Sequence, residues 1–232
     1  MAFDKAVFEQ YLKDGIPVLR LYYWSKPSFT YGVSQHPEDE INLSLCSLEG
    51  VECAKRMTGG GVLFHYDELT YSFVCSKLDL REPQNVFVSY RGICAFLIQF
   101  YKTLGLDAYF ALEAEDFHNR SSPSPLCSAS YEKYDVVING KKIGGNAQKR
   151  ARQAVFQHGS IPRSIDWGFV SRYLNNSLPQ DIPSRVTTLR DELSYLPQED
   201  ILENKFIEAF ANEFKVNFTP EEENIYETGL VK

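Results

Sequence analysis

The sequence predicts an α/β domain, and three observations carry that prediction. The chain has 232 residues, 44% hydrophobic and 14% aromatic, enough to bury a sizeable core in one large domain or in a domain with a small appendage. Runs rich in β-branched and aromatic residues, VLRLYYW (18–24), LTYSFVCS (69–76) and AVFQHGSI (154–161), read as strands. Two long segments, 86–104 and 199–215, read as helices. No internal repeat or low-complexity linker divides the chain, so residues 1–232 are expected to form a single domain.

In chain order, Phe3, Val7 and Tyr11 recur every fourth residue with Asp4, Lys5, Glu9 and Gln10 elsewhere, which predicts an amphipathic helix over 2–12, ended by Gly15 and Pro17. A strand over 18–24 follows, then a break at Lys26-Pro27 and a second strand over 29–33. The polar stretch 35–48 reads as a connection with a short helix. A strand over 51–58 runs into Gly59-Gly60-Gly61, 62–65 leaves it, and a polar turn leads to 69–76 as the next antiparallel strand. Pro83 and Asn85 announce the helix over 86–104, with Val88, Ile93, Phe96, Leu97 and Phe100 as its buried stripe and Gly105 as its cap. A short strand over 109–112 precedes the least regular part of the chain, FHNRSSPSPLCSAS (117–130). Beyond 161, a helix near 166–174, a Pro-punctuated link to Arg185, the helix over 199–215 and an acidic tail complete the chain.

The stretch YDVVINGKKIGGNAQKR (134–150) holds the densest chemistry. Asn139-Gly140 suits a two-residue type I′ turn, so Ile138 faces Lys141, Val137 faces Lys142 and Val136 faces Ile143. Alternation then puts Lys142 on the same face as Asp135 and Lys141 on the other. Gly144, Gly145, Asn146 and Ala147 follow as a shelf of small residues against which a ligand can lie, with Lys142 reaching a carbonyl or phosphate oxygen. An ordinary surface hairpin with a glycine bulge is the alternative.

Composition excludes several functions. A net charge of −7 and a pI near 5.2 speak against general nucleic-acid binding, which needs a basic surface. No apolar run approaches the roughly 20 residues that span a bilayer, and the N-terminus carries early charges, so a cytoplasmic protein without membrane partners is expected. The five cysteines, Cys46, Cys53, Cys75, Cys94 and Cys127, are odd in number and lack CxxC spacing, which argues against a disulfide framework and a zinc site. HEXXH and similar spacings are also absent, so no metal site is expected.

Cys127 lies in the Ser/Pro-rich stretch seven positions before Tyr134 and is a candidate nucleophile. A free thiol titrates at about 8.5, and a neighbouring ammonium such as that of Lys142 lowers it. An inert loop cysteine is the plainer reading. RMTGGGVLFH (56–65) offers backbone amides of Gly59, Gly60 and Gly61 to an anion or carbonyl, with Thr58 alongside and Arg56 as counter-charge; a bulged hairpin is the alternative. His65 and His158 end strand-like runs, where core or rim histidines are commoner than catalysts. Lys149, Arg150 and Arg152 form a basic cluster suited to an acidic macromolecular partner, or simply to solvent.

RMTGGGVLFH, DELTYSFV (67–74), GKKIGGNAQKR (140–150) and FQHGSI (156–161) together resemble the ordered motifs of the lipoate-protein ligase A and octanoyltransferase family, which shares its catalytic fold with biotin-protein ligases. The resemblance implies a mainly antiparallel mixed sheet flanked by helices, a single catalytic domain over 1–232 with no full C-terminal accessory domain, and an acyl tunnel, for which Leu63, Val74 and Val137 are the expected lining. It further implies an acyl- or adenylate-binding set of Arg56, Thr58, Gly59, Gly60, Gly61, His65, Gly144, Gly145, Asn146, Ala147, His158 and Gly159, with Cys127 and Lys142 as catalytic residues. The favoured reaction is transfer of an octanoyl or lipoyl group to a lysine of a lipoyl carrier domain through a Cys127 thioester, with Lys142 as base and then acid and no cofactor. Expected acceptors are lipoyl domains of 2-oxoacid dehydrogenases or the glycine cleavage H protein; the donor is acyl carrier protein. The alternative within the family is an ATP- and Mg2+-dependent lipoate ligase acting on free lipoate through lipoyl-AMP. A catalytically silent carrier-binding protein is the third reading.

Overall fold

A computed structural model describes residues 1–80, 85–114 and 132–219. Among the described residues the fold is α+β, with three small sheets flanked by helices. The largest sheet has the order β1-β5-β10-β9 and is antiparallel throughout; its strands are β1 (Val18–Tyr22), β5 (Glu68–Ser76), β10 (Ala154–Pro162) and β9 (Gly145–Arg150). β5 and β10 pair over nine residues and are buried almost end to end, because both faces of this sheet are covered.

Alternation divides the two faces cleanly. Leu69, Tyr71, Phe73 and Cys75 of β5, with Val155 and Ile161 of β10, join the main core beneath α4 (Val86–Thr103) and a C-terminal helix (Glu199–Phe214). The Phe96 ring lies 5.0 Å from those of Phe206 and Phe210 and 5.5 Å from Tyr71. Burial of each such side chain stabilises by about 1.5–3 kcal/mol, and the ring contacts add about 0.5–1.5. The two helices therefore hold β5 and β10 in fixed register. On the opposite face, α1 (Ala2–Asp14) packs Val7, Phe8 and Tyr11 against Val74, Ala154 and Phe156. The buried stripe of α1 is Asp4, Val7, Phe8 and Tyr11, which corrects the expected one: Phe3 is 38% exposed and Asp4 takes the inward place.

The second sheet, order β3-β2-β4, comprises β2 (Ser28–Tyr31), β3 (Glu52–Lys55) parallel to it, and β4 (Leu63–His65) antiparallel to it. The glycine loop thus does not close a hairpin between β3 and β4, since β2 lies between them. Nor does β4 pair with β5, although only two residues separate them; the chain changes sheets there. Two short helices, Pro37–Glu40 and Leu43–Glu49, connect β2 to β3. The third sheet, order β6-β7-β8, comprises β6 (Ala108–Phe110), β7 (Val136–Ile138) and β8 (Lys141–Lys142). Its hairpin has the expected register, Val137 opposite Lys142 and Ile138 opposite Lys141, with φ of 50° at Asn139 and 73° at Gly140 as a type I′ turn requires. Short helices at Trp167–Ser171, Ile182–Arg185 and Leu189–Glu192 join β10 to the C-terminal helix. No helix among the described residues is long and apolar enough to cross a membrane.

Candidate functional site

The β7–β8 hairpin carries Lys142 inward. Its Nζ lies 2.8 Å from Asp135 Oδ2, and the whole residue is 2% exposed. A buried cation needs such a partner, because desolvation of either charge alone is costly. Asp135 is itself fixed by the backbone N–H of Glu132, at 2.7 Å. The Lys142 carbonyl accepts from the Thr187 N–H at 3.0 Å, which ties β8 to the segment after Ile182–Arg185. The pair sits beside α4: burial pushes the Cys94 thiol up to about 12, with the Asp135 charge adding to it, and raises Tyr90 in the same way.

Gly144 turns the chain from β8 into β9 with φ of 76°, and a Cβ there would overlap the Ser160 carbonyl. This turn forms one wall of a shallow cleft of about 470 Å3, most of it open mouth. Gly144, Gly145, Ser160, Leu63, Phe64 and Trp167 are among its lining. The cleft is therefore largely apolar, with a side-chain-free backbone shelf along one wall.

The two histidines reinforce the adjoining glycine loop from inside. Arg56, 2% exposed, donates from Nη1 to Thr30 Oγ1 at 2.7 Å and from Nη2 to the carbonyls of Gly61 at 2.6 Å and Gly59 at 3.3 Å. Thr30 Oγ1 also hydrogen-bonds His65 Nε2 at 2.6 Å, and His65 Nδ1 donates to Glu68 Oε1 at 2.7 Å. The same carboxylate oxygen accepts from Thr70, which accepts from Trp24, whose ring stacks on His65. A parallel relay runs from Thr58 Oγ1 to His158 Nε2 at 2.7 Å and from His158 Nδ1 to Asp4 Oδ2 at 3.4 Å. The ring N–H that faces each carboxylate donates, because an ionised carboxylate only accepts. Burial lowers the His158 pKa despite Asp4. Burial pushes Asp4 up, yet the hydrogen bond and charge of His158, the N-terminus and Arg20 together hold it below its usual value.

On the α4 face of β9 and β10 lies a further chain of hydrogen bonds. Gln148 Nε2 donates to Gln157 Oε1, Gln157 Nε2 to Tyr71 Oη, and Tyr71 Oη to Asn146 Oδ1, at 2.7, 2.7 and 2.6 Å. Tyr90 Oη donates to the Asn146 carbonyl at 3.0 Å. Gly159 makes room for this cluster, since a Cβ there would overlap Asn146 Oδ1 and the Tyr71 ring.

The sequence-predicted residues thus fall on two sides of one edge strand. Thr58, Gly59, Gly60, Gly61, His65, His158 and Ala147 belong to the side shared with the second sheet; Lys142, Asn146 and Gly159 face α4; Gly144 and Gly145 join the two. Arg56 takes the loop's own carbonyls as partners and so braces the loop from inside. Of the expected tunnel residues only Leu63 lines the cleft: Val74 packs under α1 and Val137 against Ala111. In the basic cluster, Arg150 donates to Ser89, while Lys149 lies exposed above the Phe8 ring and Arg152 is exposed. Cys127 lies outside the described residues. Sequence reasoning missed Asp4, Glu68, Tyr71 and Gln157. Asp4 leaves one trace, a carboxylate at helical spacing from Val7, Phe8 and Tyr11. Among the described residues no group of three or more His, Cys, Asp or Glu is placed to hold a metal ion.

Fold and site together define an acyl-ligase-like catalytic domain, and residues 1–215 match the family Lipoyl protein ligase A/B catalytic domain. The chain belongs to that family. It is 32% identical over 222 residues to the octanoyltransferase LipM of Anoxybacillus flavithermus, covering 93% of this chain and 80% of that one. It is 29% identical to the octanoyltransferase LipM of Clostridioides difficile, covering 100% and 88% respectively. Among solved structures it resembles a lipoate-protein ligase A bound with ATP, with a TM-score of 0.75, 25% identity and coverage of 95% and 81%.

Proposed function

We propose that the protein transfers an octanoyl group from a thioester donor to a lysine of a lipoyl carrier domain, through an acyl thioester on Cys127. The observation that carries this reading is the buried Lys142–Asp135 pair, a fixed proton carrier two residues before the Gly144–Gly145 wall of a largely apolar cleft. The relatives named octanoyltransferases, matched over nearly the whole chain, support it. So does the state of the other thiols. Burial raises Cys46, Cys53, Cys75 and Cys94, leaving each a poor thiolate.

The steps balance without ATP or a metal. The Cys127 thiolate attacks the donor's carbonyl carbon, the C–S bond to the donor breaks, and the departing thiolate takes a proton from the Lys142 ammonium. A neutral amine of the carrier lysine then attacks the Cys127 thioester. Lys142, now an amine, removes the proton from the new C–N centre, and the Cys127 thiolate leaves. In this reading the ion-paired Lys142 acts first as acid and then as base, the reverse of the order expected from sequence. Acyl carrier protein is the donor of this reading, and exposed Lys149 and Arg152 suit acidic carriers. Acceptors are the lipoyl domains of 2-oxoacid dehydrogenases or the glycine cleavage H protein.

A second reading, ATP-dependent ligation of free lipoate, is favoured by the likeness to the ATP-bound ligase. Two reactions with an apo lipoyl domain, read by intact mass, separate them: octanoyl carrier protein without ATP, and lipoate with ATP and Mg2+. Modification in the first supports the transferase; modification only in the second replaces it with the ligase.

A further inference from the structure

The cleft walled by Gly144 and Gly145 is largely apolar, yet one buried carboxylate belongs to its lining. Glu68 is 5% exposed and sits opposite Pro162, another lining residue, at the end of the β5–β10 pair. Its hydrogen bonds from His65 Nδ1 and Thr70 Oγ1 both end on Oε1, and among the described residues Oε2 accepts none. Arg163, the residue after β10, gives its guanidinium to Asp67 and Glu199. A carboxylate oxygen in such a place calls for a donor. The neighbouring lining is hydrocarbon and aromatic, from Leu63, Phe64, Trp167 and Val170. One carboxylate in apolar walls disfavours anions, phosphates and free carboxylic acids among them. It suits an alkylammonium, whose methylenes lie on the walls while its head donates to the oxygen. The cleft is shallow and open, as fits a side chain brought in on the surface of another protein. It adjoins the strand of Lys142 twice: Gly144 follows that residue by two positions, and Val186, also in the lining, bridges to the Lys142 backbone.

We propose that this cleft receives the acceptor lysine of the lipoyl carrier domain, with its aliphatic stem against Leu63, Phe64 and Trp167 and its amino group on Glu68. The inference rests on the octanoyl-transfer reading for the identity of that occupant. The glycine wall has no side chain to hold the carrier's backbone away. The ammonium is the form that docks. The neutral amine that attacks still has an N–H for the same oxygen, so Glu68 binds and positions the nucleophile and exchanges no proton in the steps given above.

Steady-state octanoyl transfer tests the proposal, because in a ping-pong exchange kcat/KM for each substrate reports its own half-reaction. Glu68→Gln keeps an oxygen for His65 and Thr70 and removes the charge. It is expected to lower kcat/KM for the apo lipoyl domain by roughly 10- to 100-fold, as loss of a hydrogen bond between charged groups does, and to leave kcat/KM for octanoyl carrier protein at the parental value. A loss confined to the donor, or equal for both substrates, overturns the proposal. n-Butylammonium, the lysine side chain without its backbone, gives a readout apart from activity. It is expected to shift the Trp167 indole N–H resonance, assigned by its disappearance in Trp167→Phe, in the parent and not in Glu68→Gln, while butyrate shifts it in neither. An equal shift in both proteins, or a shift with butyrate and none with the amine, also overturns the proposal. A parent that transfers no octanoyl group yet responds to n-butylammonium would overturn the octanoyl-transfer reading and leave the cleft as an alkylammonium site.

Discussion

Asp135→Asn removes one charge from the site and almost no volume. The substituted amide would still accept the Glu132 N–H through its side-chain oxygen, so the turn into β7 keeps its hydrogen bond and the loss isolates the ion pair. At 2.8 Å the Lys142–Asp135 attraction is about 6 kcal/mol for an effective dielectric constant near 20. Much of that offsets desolvation, and removing one partner of a buried pair typically costs about 3–5 kcal/mol. For a domain of this size the loss corresponds to a fall in Tm of roughly 6–20 °C. Urea unfolding gives the free energy directly, with an unchanged m-value showing that the denatured state is not altered. The double variant Asp135→Asn/Lys142→Met is expected to recover most of the stability, because it leaves no uncompensated buried charge, while remaining inactive. A single variant that loses less than about 1 kcal/mol would match an exposed pair and contradict the burial of these two charges.

Three other perturbations test the neighbouring parts. Gly144→Ala places a Cβ on the Ser160 carbonyl at a left-handed φ, and unfolding should show a loss of about 2–5 kcal/mol; unchanged stability would mean that the turn does not pack on β10. Arg56→Met removes the bonds to Thr30, Gly59 and Gly61 and should cost about 3 kcal/mol or more, with faster amide exchange at 59–61. Acidification should weaken the fold in two stages. Because burial holds His158 below 6.5, the unfolded chain binds the extra proton first, so the His158 contribution is full above pH 6.5 and is lost as pH falls toward the folded value. Asp4, held below 3.8, adds a second loss as pH falls below that value. Urea midpoints measured between pH 8 and 5 should fall with pH in the parent and much less in His158→Gln; a flat parent profile would contradict the Thr58–His158–Asp4 relay.

The hairpin at 136–142 was legible because Asn-Gly fixes a two-residue turn, and a two-residue turn fixes every pairing beyond it, including the shared face of Asp135 and Lys142. β9 was not: GNAQKR contains no β-branched or aromatic residue, and its strand state comes from pairing with β10. Sheet membership was also hidden. β4 and β5 adjoin in sequence and read as partners, yet β5 is claimed by β1 and β10, which are distant along the chain. For the same reason Leu63, Val74 and Val137 could not be separated, since each is simply an apolar strand residue until its sheet and face are known. The glycine loop's composition was visible, but its bracing by Arg56 and by relays from Glu68 and Asp4 depends on contacts across the fold. Asn146 was singled out for small bulk, whereas its orientation is set by Tyr71 from another strand.

Transfer through a Cys127 thioester is tested most directly by the intact mass of the protein after brief exposure to octanoyl carrier protein, without ATP and without a lipoyl domain, followed by acid quench. The expected product carries one octanoyl group per chain, mapping to the peptide that contains Cys127, absent from Cys127→Ala and discharged when an apo lipoyl domain is added. An unmodified protein that nonetheless octanoylates the lipoyl domain, or a Cys127→Ala variant that transfers at the parental rate, would contradict it.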